Sequence, residues 1–356
     1  MSIHKKSLFV GASFLMATAV TGQFAVSADA NAQSVKLPRQ IIIATNRVGG
    51  VSNTMANGFA KVLTQFVGTK ATVRPVGNAA KWMGMIKSDD IDLGMTSVTE
   101  LSWAYWGTNA YKGRPNRTFS LVALGRRSAW TFMVPEESPV HTPEQLKTWM
   151  RGKRLSHKWI NPIIDHLNRA GLANLGFTGG LAQAGLTAVP VSSYKVFVSL
   201  WIENKVDVIG TPPGIPLVRR MQAGRKGRFI PMFTDAAAVA RMQKVEPAYY
   251  IGTQRAGVPG VKKPIQALSF DYCIIARNSL DKGVVQKVLE TLYAHQKELG
   301  ESHGLVKGWL PADKKWANDR TVLPYHPGAI DFYKAKGLWN DKIEAKQAEL
   351  VARSKG

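Results

Sequence analysis

The chain is poor in the residues that anchor most enzyme chemistry. It has one cysteine, Cys273, in 356 residues, so no internal disulfide can form. The fold has to be held by its core and not by cross-links. Cys273 lies in the apolar run YCIIA and reads as a buried small hydrophobe, a poor setting for a reactive thiolate. The seven histidines are scattered, none at metal-ligand spacing with a second ligand. A G-x-S-x-G elbow, a phosphate-loop motif and a G-x-G-x-x-G fingerprint are all missing. No catalytic set, no metal site and no cofactor is therefore expected. Acidic residues are also scarce. The balance of 24 Asp and Glu against 47 Lys and Arg gives a net charge of +23, a field that favours anionic ligands or anionic surfaces. The basic residues are spread through the chain with no long run and no aromatic ladder, so a nucleic-acid partner is not expected.

Long apolar runs are few, and the first belongs to a leader. MSIHKK is a positive n-region, and SLFVGASFLMATAV is an apolar stretch too rich in small residues for a good membrane span. ADANA then offers small residues at the spacing a signal peptidase reads. Residues 1–32 are expected to form a cleavable signal peptide, with cleavage after Ala32 as the first choice and after Ala30 as the second. The chain is therefore expected to be exported to a bacterial periplasm. At 45% hydrophobic residues, the remainder is long enough for two domains.

What is present is a repeated grammar. RQIIIATN reads as a strand, RVGGVSN as a glycine turn, and NTMANGFAKVLTQFV as a helix with Phe59, Val62, Leu63, Phe66 and Val67 on one face. Ser52 or Asn53 is placed to cap that helix. Next, TVRPVGNAAKWMGMIKSDDIDLGMTS, from Thr72, matches TAVPVSSYKVFVSLWIENKVDVIGTP, from Thr187, at a constant offset of 115 without a gap. Each copy reads as strand, small polar turn, helix, then a strand opened by aspartate. Two such βαβ halves imply an α/β fold of two lobes, each an open sheet flanked by helices. Ligands bind such sheets beyond the carboxyl ends of the strands, which puts Asn46, Arg47, Asn78, Thr96, Ser97 and Thr211 at the mouth. Asp92 and Asp207 open their strands at the opposite end. They are expected to be structural, accepting backbone N–H bonds.

The longer motifs resemble a known family. LSWAYWGTNAYKG, the segment SPVHTPEQLKTWMRGKRLS and the C-terminal HPGAIDFYKAKGLW are similar to those of the TAXI family, the solute receptors of one class of TRAP transporter. The resemblance covers nearly all of the mature chain. It implies a two-lobed periplasmic binding protein fold, type II-like, that closes on an organic anion or amino acid and passes it to an ion-gradient-driven permease. It implies no enzymatic activity, and a monomer is expected. An ABC importer receptor or a sensor subunit is the alternative. Lobe I is expected over 36–129 plus 250–356 and lobe II over 130–249. Three departures bear on the pocket: Ser52 and Asn53 replace a tyrosine pair, Gly77-Asn78-Ala79 replaces a GGS turn, and LSHKWINP replaces a flexible Gly/Pro/Ser loop. The expected ligand-binding residues are Asn46, Arg47, Ser52, Asn53, Asn78, Thr96 and Ser97 from one lobe. Lys158, Asn161 and Thr211 are expected from the other, with Trp130 or His157 setting shape.

Overall fold

The computed structural model describes residues 35–77, 79–159 and 162–355. The expected signal peptide, Asn78 and Asn161 lie outside the described residues. Among the described residues ten strands follow in chain order: β1 (Gln40–Thr45), β2 (Lys70–Pro75), β3 (Leu93–Ser97), β4 (Phe119–Pro135), β5 (Arg154–Trp159), β6 (Thr187–Val191), β7 (Ile209–Thr211), β8 (Gly227–Phe229), β9 (Tyr250–Gln254) and β10 (Ile265–Arg277). One continuous sheet runs β2-β1-β3-β10-β4-β7, with β8 on β4 and β9 on β10, while β5 and β6 pair separately. The β1–β2, β1–β3 and β5–β6 pairs are parallel, and β10 runs antiparallel to both β3 and β4. The parallel pairs come from the strand–helix–strand units. The antiparallel strands join them.

The apolar residues gather around two centres. One holds Ile41, Phe59, Leu63, Trp82, Met95, Leu124, Ile275 and Trp309. The other comprises two adjoining clusters, around Trp130, Phe132, Leu155 and Tyr249 and around Phe197, Trp201 and Ile209. The architecture is two-lobed α/β, the class read from the sequence. β4 gives Phe119 to Leu124 to the first core and Trp130 to Val134 to the second. β10 gives Leu268 and Phe270 to the second core and Cys273 to Ala276 to the first. Both strands therefore pass between lobes in mid-strand, around Arg126 on β4 and Tyr272 on β10. No side chain fits at Gly125, where a Cβ would stand 1.8 Å from Trp309 Cε3.

The repeat is visible in the structure. The helices Ala79–Lys87 and Tyr194–Ile202 occupy positions offset by 115 residues at both ends. Each buries its large aromatic on the sheet, Trp82 at 0% exposure and Phe197 at 1%. Ser193 caps the second helix, accepting from Val196 N at 3.2 Å. The aspartates act as braces. Asp92 Oδ2 accepts from Ile42 N at 2.9 Å, and Oδ1 accepts from Arg277 Nε and a terminal guanidinium nitrogen at 3.2 and 3.1 Å. Asp207 Oδ2 accepts from Arg154 N at 2.8 Å and Nε at 2.9 Å, and Oδ1 accepts from the same guanidinium at 2.8 Å. In each lobe a carboxylate clips the backbone of a neighbouring parallel strand and neutralises one arginine. The Arg154 guanidinium holds the Asp207 carboxyl below its usual range.

One cap differs from expectation. The helix Val51–Phe66 starts after Gly50 with no side-chain cap, so Ser52 and Asn53 stand inside its first turn. Asn53 instead reaches back, accepting from Gly49 N at 3.3 Å. Glycines at 49 and 50 tighten the turn by one residue, which draws both polar residues into the helix. Among the described residues no helix is long and apolar enough to cross a membrane. No group of three His, Cys, Asp or Glu among them could hold a metal ion.

Candidate functional site

A cavity of about 630 Å³ lies between the two lobes. Its floor is made where β4 and β10 cross. Its first-lobe wall comes from the ends of β1 and β3 and the helix that starts at Val51. Its second-lobe wall comes from Trp159, Tyr194 and the turn after β7. Open α/β sheets expose their strand ends here, so the position follows from topology.

Asn46, Arg47, Ser52, Thr96, Ser97, Trp130 and Thr211 line this cavity. Asn53, His157 and Lys158 do not. Asn53 is 6% exposed, and its amide donates to Thr45 Oγ1 at 3.1 Å, which braces the loop behind the wall. His157 is held by Asp165, at 3.0 Å between Nδ1 and Oδ1, and burial pushes its imidazole below the ordinary value. Lys158 is exposed. It is the extra residue at a register shift between His157 and Trp159, with φ of 56°, so the chain bulges there and turns Lys158 outward while Trp159 turns in. Trp159 packs edge-on against Phe197, 4.6 Å between ring centres.

Of the polar groups on the cavity wall that the sequence patterns do not single out, three bear on its charge. The first is Arg126, half-buried on β4, whose side chain makes no hydrogen bond or ion pair among the described residues. Burial lowers its pKa, and nearby Arg127 lowers it further. The second is Tyr272 on β10, pushed up to about 12 by burial, with Arg126 opposing and Glu100 adding to the shift. The third is Glu100, in the first turn of the helix Val98–Trp106. Thr96 Oγ1 donates to its Oε2 at 2.6 Å, and Asn46 Nδ2 and Ser97 Oγ approach the same atom at 3.3 Å. Burial raises the pKa of Glu100, and these three bonds oppose the rise. Trp82 Nε1 donates to Asn46 Oδ1 at 3.3 Å, which fixes the amide so that its NH₂ faces Thr96 and Glu100. At the mouth, the Arg47 guanidinium lies over the Tyr194 ring, 5.5 Å from its centre, and so spans the two lobes. A side chamber of about 330 Å³ opens from the same corner and shares Asn46, Arg47 and Glu100 with the main cavity. The signal for Arg126 in the sequence is a pair of arginines inside an otherwise apolar strand run. Glu100 looks like an ordinary first-turn acid.

The family comparison covers most of this architecture, matching residues 43–337. The chain belongs to the NMT1-like family. No curated protein matches the sequence. This NMT1-like protein is similar in fold to several solved structures of low identity. One is a TctC solute binding protein from Polaromonas, 13% identical, with a TM-score of 0.49 over 84% of this chain and 97% of that one. Another is PhnD1 from Prochlorococcus marinus in complex with methylphosphonate, 12% identical, with a TM-score of 0.48 over 85% and 100% of the two chains. A third is the second substrate binding domain of GlnP from Lactococcus lactis in an open conformation, 14% identical, with a TM-score of 0.43 over 77% and 97%.

Proposed function

We propose that this NMT1-like protein is an exported periplasmic receptor, without enzymatic activity, that captures a small organic anion between its lobes and delivers it to a membrane permease. The observation that carries this reading is the Arg126 guanidinium, which faces the inter-lobe cavity without a protein partner among the described residues. A guanidinium withdrawn from water costs several kcal/mol unless an anion meets it. A carboxylate seated there takes two parallel N–H bonds from Arg126. Thr96, Ser97 and Thr211 add short hydroxyl groups at the strand ends, and Trp130 and Trp159 supply flat apolar walls. The only thiol is a poor nucleophile: Cys273 is fully buried, and burial pushes it well above its ordinary value. The resemblance to TAXI receptors supports a permease of the TRAP type. An ATP-driven importer or a sensor would use the same capture step.

The test is a thermal-shift screen of dicarboxylates, keto acids, amino acids and aromatic acids against the mature protein and Arg126→Gln. A ligand at 100 times its Kd adds about 2.7 kcal/mol of stability, an easily read shift. Stabilisation of the parent but not of the variant supports capture. No stabilisation by any acid overturns it. Uptake by vesicles carrying a TRAP permease, with and without the receptor, then decides the transport partner.

A further inference from the structure

We infer that Arg47 and Tyr194 form a latch that holds the two lobes together across the mouth of the cavity before any ligand is bound. This rests on the receptor reading, because a latch has a use only where lobes part to admit a solute.

Two side-chain contacts between the lobes differ in kind. Trp103 donates to Glu246 at 2.7 Å, and the two residues are only 3% and 2% exposed. Parting the lobes there would bare a buried indole, so this contact is suited to a pivot. The other contact lies at the mouth, where the Arg47 guanidinium stands 5.5 Å from the centre of the Tyr194 ring. Arg47 is exposed and Tyr194 is 44% exposed, so water takes over from either partner when they separate. The Arg47 guanidinium makes no hydrogen bond or ion pair among the described residues, which leaves it free to meet the ring. Both side chains stand on fixed ground. Arg47 N donates to Gly77 O at 3.1 Å, Gly50 N donates to Arg47 O at 3.1 Å, and Gly49 takes a φ of 74° to close the turn. Tyr194 opens a helix capped by Ser193, and its ring is backed by Trp159 at 5.9 Å between centres. Both residues line the cavity. The pairing of a cation with a neutral ring suits the task. A carboxylate in place of Tyr194 would grip Arg47 harder and would repel an arriving anion, whereas the ring does neither. A guanidinium over an exposed ring shifts an equilibrium by about two- to fivefold, enough to bias the lobes towards closure and weak enough to release.

The experiment measures the distance between lobes without ligand. Cys273 is fully buried, so spin labels attach only at introduced cysteines, Lys61→Cys on the first lobe and Arg220→Cys on the second, both exposed positions on helices. Double electron–electron resonance then reads the closed and open populations. Tyr194→Leu should lower the closed-to-open ratio about two- to fivefold, and Tyr194→Phe, which keeps the ring, should leave it unchanged. Arg47→Gln should match Tyr194→Leu, and the two together should do no more than either alone. A parent found only in an open state, a ratio that Tyr194→Leu does not move, an equal loss in Tyr194→Phe, or additive losses in the double variant each overturn the latch. The acids of the thermal-shift screen are then added to the same labelled proteins. An acid that raises the closed population leaves the receptor reading standing even where the latch has failed. If no acid binds, the receptor reading falls, and the response to substitution still decides whether the contact holds the lobes.

Discussion

The indole N–H of Trp103 donates to Glu246 Oε2 at 2.7 Å, and this buried bond ties a first-lobe helix to the end of a second-lobe helix. His166 stands edge-on to Trp103, 4.7 Å between ring centres, and its Nε2 lies 3.5 Å from the same carboxylate oxygen. Arg169 approaches His166 Nδ1 at 2.8 Å. Because a guanidinium only donates, Nδ1 is the acceptor, and the ring proton sits on Nε2 facing Glu246. Replacing Trp103 with phenylalanine keeps an aromatic ring, leaves a small void, and removes one donor from a carboxylate that is 3% exposed. The expected cost is about 1–3 kcal/mol in urea unfolding. An unchanged midpoint would show that the bond contributes nothing to stability.

The Asp207 brace predicts a specific acid response. Its folded pKa is depressed, so the stability it contributes is present above the unfolded value of about 3.9 and is lost as pH falls through the folded value. Asp207→Asn should therefore be less stable than the parent at pH 7, by about 1 kcal/mol. The figure is modest because the Arg154 side chain is 40% exposed and solvent screens the pair. The gap should narrow as pH drops below about 4. Urea unfolding at pH 7, 4 and 3 reads it, and a gap that stays constant rules the brace out as its source.

Gly210 sits beneath the cavity wall. A Cβ there would meet Trp130 Cζ2 at 2.0 Å and Asn168 Oδ1 at 2.1 Å. Gly210→Ala should cost at least about 2 kcal/mol and displace Trp130. Gly304→Ala is the control, since a Cβ at that position meets nothing within 4 Å. If both variants melt with the parent, the close packing at Gly210 is not real.

Two cations separate cavity from surface. Arg126→Gln should weaken binding of any captured acid by about tenfold or more, as expected when one partner of a desolvated charge pair is lost. Lys158→Ala, at an exposed bulge, should leave it within about twofold. Calorimetry on both variants checks the contrast. A large loss at Lys158 would place that lysine in the site after all.

The strand-end residues were legible because topology alone positions them. Once a strand–turn–helix pattern is read, Thr96 and Thr211 must stand at the mouth, whatever they contact. The aspartate braces were legible because the repeat shows the same residue at the same end of two strands. Arg126 and Glu100 were not, for a common reason. Arg126 is marked by the side-chain partner it lacks and Glu100 by the three donors around it, and pairing is a three-dimensional property. Arg126 lies on β4, a 17-residue strand shared by both lobes, where the sequence shows only a polar interruption. Lys158 misled for the opposite reason: its charge is plain in the sequence, whereas the bulge that turns it outward is not.

The two strands that pass between lobes have a mechanical consequence. β4 and β10 pair on both sides of the crossing, with Asp271 opposite Arg127 and Cys273 opposite Leu124, and the register shifts between them. In the proposed capture, a change in the angle between lobes would be taken up in this ribbon, and points near an axis of rotation move least. Arg126 and Tyr272 stand at the crossing, whereas Thr211 and Tyr194 lie on the second-lobe wall. The first contact a ligand makes with the ribbon can thus persist through the whole motion. Under that proposal its remaining contacts would be gathered as the angle narrows, and the path of the chain would set the order of bond formation.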